Sequence, residues 1–209
     1  MDQTYIREIF QPDLKDPILV VGLPGVGNIG RDAAKHLIDH SRAKLFAELY
    51  SPSFPDLVFI DRKGICRPPR YEFYASTTGK SLVILIGDNQ PPPEEVPAHY
   101  EVCSDVLDFA AKLRCSFIIA LDGAPSPHPT GETYIAATSA RKASQYAKKG
   151  ALVYKGGRIV AASGLLLGLA EKRGLEGICL LAPTLGLTVD REASVRIYKF
   201  LKRVLETDV

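Results

Sequence analysis

The chain has 209 residues, 46% of them hydrophobic and 24% charged, and its 26 basic side chains against 24 acidic ones leave a net charge of +2. That balance fits a single globular domain spanning residues 1–209, with a core large enough to need no disulfide or metal staple. It argues against a nucleic-acid partner, because the densest basic pairs, Lys148-Lys149 and Lys202-Arg203, sit on the solvated faces of expected helices.

In chain order, Ile18–Gly22 is a short apolar run and is expected as a buried strand. A glycine-rich turn follows. Ile29, Ala33, Ala34, Leu37 and Ile38 then recur at helical spacing, opposite Arg31, Asp32, Lys35 and Asp39. Lys44–Tyr50 is the second strand. Leu57–Ile60, the turn Asp61-Arg62-Lys63-Gly64 and Ile65–Arg67 form a β-hairpin. Arg70–Tyr74 is extended, and Ser81–Gly87 is a buried strand that runs into Asp88, Asn89, Gln90 and three prolines. Val96, Tyr100, Cys103, Val106, Leu107, Ala110 and Leu113 mark a long helix, with Glu94 and Glu95 at its positive end. Ser116–Leu121 is a strand, and the proline-rich 122–133 segment is a loop. A helix over Ala140–Lys149, two strands over Leu152–Tyr154 and Arg158–Ala162, a helix over Gly164–Lys172, a strand over Gly177–Ala182 and a last helix capped by Asp190 complete the chain. Strands alternating with helices predict an α/β fold, a mainly parallel sheet with helices on both faces and a β-hairpin insertion.

Several segments bear on chemistry. Gly25-Val26-Gly27-Asn28-Ile29-Gly30 matches the G-x-G-x-x-G dinucleotide fingerprint. Glu48 lies near the place of a ribose-binding acid, but a hairpin follows where a crossover helix and third parallel strand belong. The motif therefore reads better as a tight turn, with Gly27 and Gly30 letting the helix lie close on the sheet. Loops 23–28, 88–93 and 123–131 would share one crevice at the strand ends. That makes Gly25, Gly27, Asn28, Asp88 and Gln90 a candidate pocket, with no cofactor assigned to it. His36 and His40 share a helix face, but Leu37 stands where a zinc-protease helix needs Glu, so no metal is expected. Ser163 lacks the flanks of a nucleophile elbow and is expected to cap the leucine-rich helix. Asp122, Ser126 and His128 lie too near in sequence to converge as a triad.

Leu165, Leu166 and Leu169, on a helix apolar nearly all round, and the aromatic run Tyr71, Phe73 and Tyr74 are candidate subunit contacts. Cys103 and Cys179 fall at apolar positions and no C-x-x-C occurs, which fits a reducing cytoplasm. The start MDQTYIREIF is no secretory leader, and the apolar runs fall short of the ~20 residues a bilayer needs, so no membrane partner is expected.

Five segments together resemble the archaeal-type proteasome assembly chaperone family: GLPGVGNIG (22–30), ELYSPSFPDLVFID (48–61), RPPRYEFY (67–74), LVILIGDNQP (82–91) and GGRIVAASGLLLGLAEKRGLEGICLL (156–181). The resemblance implies a fold similar to nucleoside phosphorylases, without an established catalytic site, and a homo-oligomer that assists proteasome assembly. It implies proteasome α subunits, or a related chaperone with a docking tail, as partners. The chain ends Glu206-Thr207-Asp208-Val209, without the penultimate tyrosine of a docking tail. The alternative is a small-molecule-binding enzyme of nucleoside phosphorylase or nucleotide-dependent type that uses the glycine-loop crevice.

Overall fold

A computed structural model gives the protein's structure and describes residues 1–207. Asp208 and Val209, on which the docking-tail expectation falls, lie outside the described residues.

The centre is four parallel strands: β2 (Ile18–Gly22), β7 (Leu82–Gly87), β8 (Phe117–Pro125) and β11 (Gly177–Thr184), in the order β7-β2-β8-β11. Their sequences are apolar without alternation because both faces are covered, and nearly every position is buried. β6 (Tyr71–Ser76), β3 (Lys44–Tyr50) and β1 (Tyr5–Glu8) extend the sheet antiparallel on the β7 side. β9 (Tyr134–Ala137) lies antiparallel on β11, and β10 (Leu152–Val153) runs parallel to β9 at the far edge. A separate two-stranded hairpin joins β4 (Phe59–Ile60) to β5 (Cys66–Arg67).

Helices α2 (Val96–Lys112) and α4 (Ala161–Lys172) cover one face; Leu19, Leu85, Ile118 and Leu181 point into that layer. α1 (Ile29–Ser41), α3 (Ala140–Ala147) and α5 (Arg191–Thr207) cover the other, over Val20, Ile84, Ile119 and Leu180. The α/β expectation holds, but the sheet is mixed rather than mainly parallel. Of its eight strand pairings, four are parallel and four antiparallel.

Two local expectations are corrected and two further strands appear. Residues 122–125, expected as loop, complete β8, because β11 pairs with them to its own last residue. Residues 158–160 form no strand, and α4 begins at Ala161 after extended Val160, so Ser163 lies inside the first turn and is not the cap. β9 was hidden by the Pro and Gly density just before it; its pairing with β11 supplies what its sequence does not signal. β1 is a four-residue edge strand held by β3, too short for periodicity to reveal.

Asp190 is the expected cap of α5. Its Oδ1 accepts the Ala193 N–H at 3.0 Å, and its Oδ2 accepts the Thr184 hydroxyl at 2.8 Å. Replacing Asp190 by Ala is expected to cost about 1 kcal/mol of unfolding free energy, measured by urea titration.

Candidate functional site at the carboxyl edge of the sheet

In an open α/β sheet, ligands gather where parallel strands end. Here β2 delivers the glycine loop, β7 delivers Asp88 to Gln90, β8 carries Asp122 and Gly123 in its last four residues, and β11 ends at Thr184. α1 presses against this edge. A Cβ on Gly30 would lie 2.0 Å from the Leu121 carbonyl oxygen, so only glycine lets the first helical turn meet β8. Gly27 sits at φ +63°, and its carbonyl accepts the Asp190 N–H at 2.9 Å, which ties the loop to the start of α5.

The side chain at the centre is Asp122, 4% exposed. Its Oδ1 accepts the Gly123 N–H at 2.7 Å. The Val26 N–H and the Ser163 hydroxyl also face the carboxylate and favour its charged form. A Cβ on Gly25 would come within 2.6 Å of Oδ1, so the glycine loop closes directly over the acid. Burial pushes the Asp122 carboxyl up to about 6, against the downward pull of these three groups. A glycine loop before a helix ordinarily offers its N–H groups to an external anion. In this chain the Val26 N–H is met by the chain's own carboxylate. Asp122 meets Ser163 with no imidazole between them, and His128 lies on the exposed part of the loop, so Asp122, Ser126 and His128 do not converge as a triad.

Asp122 also lines a cavity of about 380 Å³, walled by Val26, Tyr154, Ile159, Val160 and Leu181, with Arg158 at its exposed side. The sequence signal for this acid was available: one carboxyl closing the apolar run Phe117–Leu121 and followed by glycine. Ser163 carried no such signal, because its partner lies on another element.

The structure distributes the candidate pocket residues. Gln90 bridges two elements: its Nε2 donates to the Pro24 carbonyl, and its Oε1 accepts the Ala162 N–H at 2.9 Å, so it binds the glycine loop to the start of α4. Ala161 is held there at φ +59°. Gly25 faces Asp122. Asn28, at φ +53°, turns its amide to Asp32 at 3.1 Å. Asp88 is directed to the hairpin instead, taking both Arg67 guanidinium nitrogens at 2.5 and 3.0 Å and the Arg70 N–H at 3.2 Å. Glu48 lies on β3, with β6 and β7 between it and β2, and pairs with Arg70 at 2.6 Å. An acid so placed is not positioned for a ribose at the glycine loop, which removes the fingerprint's second half.

Of the candidate interface residues, Tyr71, Phe73 and Leu166 are buried within the chain's own core, each at most 1% exposed. Tyr71 packs on Phe54 and Phe73 on Phe109. Tyr74 is half-buried and donates to Glu72 at 3.0 Å; Leu165 and Leu169 are also half-buried. His36 and His40 both rest on the Tyr198 ring. No group of three or more His, Cys, Asp or Glu side chains is placed to hold a metal among the described residues. No helix among them is long and apolar enough to cross a membrane.

Comparison with known proteins places these features in context. The PAC2 family model matches residues 19–209. The crystal structure of Pyrococcus furiosus PbaB, described as an archaeal proteasome activator, superposes with a TM-score of 0.92 at 36% identity, covering 100% of this chain and 91% of that one. P. furiosus PbaA, described as an archaeal homolog of proteasome-assembly chaperone, gives a TM-score of 0.81 at 26% identity over 98% and 83% of the two chains. An uncharacterized Methanocaldococcus jannaschii protein is 29% identical over 193 residues, 90% of this chain and 74% of its own.

Proposed function

The chain belongs to the PAC2 family, and on that premise we propose that it is a non-enzymatic, oligomeric assembly chaperone or scaffold acting on the proteasome in the cytoplasm. One observation carries the reading: the likeness to PbaB runs over the whole of this chain at 36% identity, so what is shared is the full fold and not one motif. The glycine loop supports it too, since its anion seat is filled from within by Asp122. The homo-oligomeric contact is assigned to the exposed side of α4, where Leu165 and Leu169 stay half-exposed, and not to Tyr71, Phe73 and Leu166, which the core consumes. The proposed partners are proteasome α subunits or a related chaperone bearing a docking tail.

The test is the mass of the purified protein, alone and mixed with archaeal proteasome α subunits. Self-association and a shift in α-subunit assembly are expected. A strict monomer that leaves α-subunit assembly unchanged would falsify the proposal.

A second reading, a small-molecule-binding enzyme of nucleoside-phosphorylase-like or nucleotide-dependent type, is favoured by one feature, the cavity against Asp122. A ligand at 100 times its Kd stabilises by about 2.7 kcal/mol. Thermal scans with nucleosides, phosphate and dinucleotides should show that gain if this reading holds. Unchanged melting with all three removes it.

A further inference from the structure

Resting on the oligomeric reading above, we propose that the β4–β5 hairpin of one copy seats in the apolar groove between α2 and α4 of a second copy. The hairpin is an arm without a core of its own. Residues 56–66 are all exposed except Phe59. Leu57, Val58, Ile60 and Ile65 are 41%, 58%, 66% and 61% exposed, and they crowd a two-stranded sheet with only two residues per strand. Such a ribbon is marginal in water, and apolar side chains concentrated on it mark a contact surface. The arm is nevertheless held at its base and its tip. Its base is clamped by the two-pronged Arg67–Asp88 pair, with Arg67 also lying over the Phe59 ring at 5.0 Å. Its tip is fixed by Asp61, whose carboxylate accepts the Lys63 and Ile65 N–H groups at 2.8 and 2.9 Å. A preorganised knob loses little freedom on docking.

The receiving surface is a groove of about 640 Å³ with a mainly apolar lining. Val96, Tyr100 and Val160 line it while 52–56% exposed, and Leu165 forms its floor toward α4. The chain's own hairpin does not cover it, since both sets of side chains stand exposed.

Charge decides between a second copy and an arbitrary apolar partner. The hairpin tip carries Arg62 and Lys63; the groove's rim, between Pro93 and Val96, carries Glu94 and Glu95. All four are exposed, and none forms an ion pair among the described residues. Apolar knob and apolar groove, basic tip and acidic rim, are two matched halves on one chain. Because the halves are different patches, the contact is heterologous and joins copies head to tail, closing into a ring where the rotation permits.

Three charge-reversal proteins test this: Arg62→Glu with Lys63→Glu, Glu94→Lys with Glu95→Lys, and all four together. Their masses are measured by sedimentation, and native folding is checked by circular dichroism, which exposed substitutions should leave unchanged. Each double variant is expected to associate about tenfold or more weakly than the native chain, and the fourfold variant to recover. Carbodiimide coupling of mixed light and nitrogen-15-labelled native chains should join Lys63 to Glu94 or Glu95 across copies. Double variants that keep the native mass, or a fourfold variant that fails to recover, overturn this contact while leaving an oligomer through another surface intact. A native chain that stays monomeric overturns the contact and the oligomeric reading together.

Discussion

Replacing Gly30 by alanine is expected to destabilise the fold by about 3 kcal/mol or more, the upper range for forcing atoms into a packed interior. The added methyl would lie 2.0 Å from the Leu121 carbonyl oxygen and 2.8 Å from its carbon. Those are backbone atoms of a strand paired on both sides, with β2 and with β11, so the neighbour cannot turn aside. α1 would have to lift instead, and Gly22 shows how little room it has. A Cβ there would meet both the Ala34 Cβ and the Gly30 oxygen at 2.4 Å. For a chain of this length the expected drop in Tm is roughly 6–12 °C. Gly168→Ala is the internal control, because Gly168 lies inside α4 with nothing within 4 Å of its added Cβ. There the same chemical change should stabilise by about 1 kcal/mol, through helix propensity alone. Equal melting of native and Gly30→Ala proteins would show that the glycine motif does not set the approach of α1 to the sheet.

Much of this arrangement was legible in the residues. Apolar runs without alternation identified β2, β7, β8 and β11 as doubly covered strands, and the helical spacing of Ile29, Ala33, Ala34 and Leu37 identified the buried side of α1. The role of the glycines in packing was legible for the same reason: the segment after β3 is a hairpin where a dinucleotide fold continues with a crossover helix, and Gly30 meets the backbone of β8. What stayed hidden were pairings between distant elements. β9 and β1 exist because β11 and β3 offer them partners. Ser163 has the letters of a helix cap, but Val160 precedes the helix and the hydroxyl turns inward to Asp122. Tyr71 and Phe73 resembled surplus aromatics only while the layer that receives them, with Phe46 and Phe109 of β3 and α2, was out of view. The alternation in RYEFY did carry that information: buried Tyr71 and Phe73 alternate with half-buried Glu72 and Tyr74.

Asp122 makes a distinct prediction about pH. Its carboxyl titrates at about 6 in the folded chain against an ordinary value of 3.8, and burial is the main cause. Between those values the folded state holds the proton more tightly than the unfolded state does. Stability from this group is therefore fully present below pH about 4 and is lost as pH rises through 6. A shift of about two units corresponds to roughly 3 kcal/mol. Asparagine at 122 keeps an oxygen for the Val26 and Gly123 N–H groups but carries no charge to desolvate. The difference in unfolding free energy between Asp122→Asn and native protein should then grow in the variant's favour by about 3 kcal/mol from pH 4 to pH 8. Subtracting the native curve removes groups common to both proteins, including Asp190, whose lowered value has the opposite sign. Urea titrations across that range provide the measurement. A difference that stays flat with pH would mean the carboxyl is already hydrated in the folded chain. A slope of the expected sign would mean that the anion seat of the glycine loop holds a charge the fold tolerates at a cost. Such a cost is best explained by what the charge organises: one acid joins the end of β8, the turn before α1 and the first turn of α4, the helix that floors the groove proposed to receive a second copy.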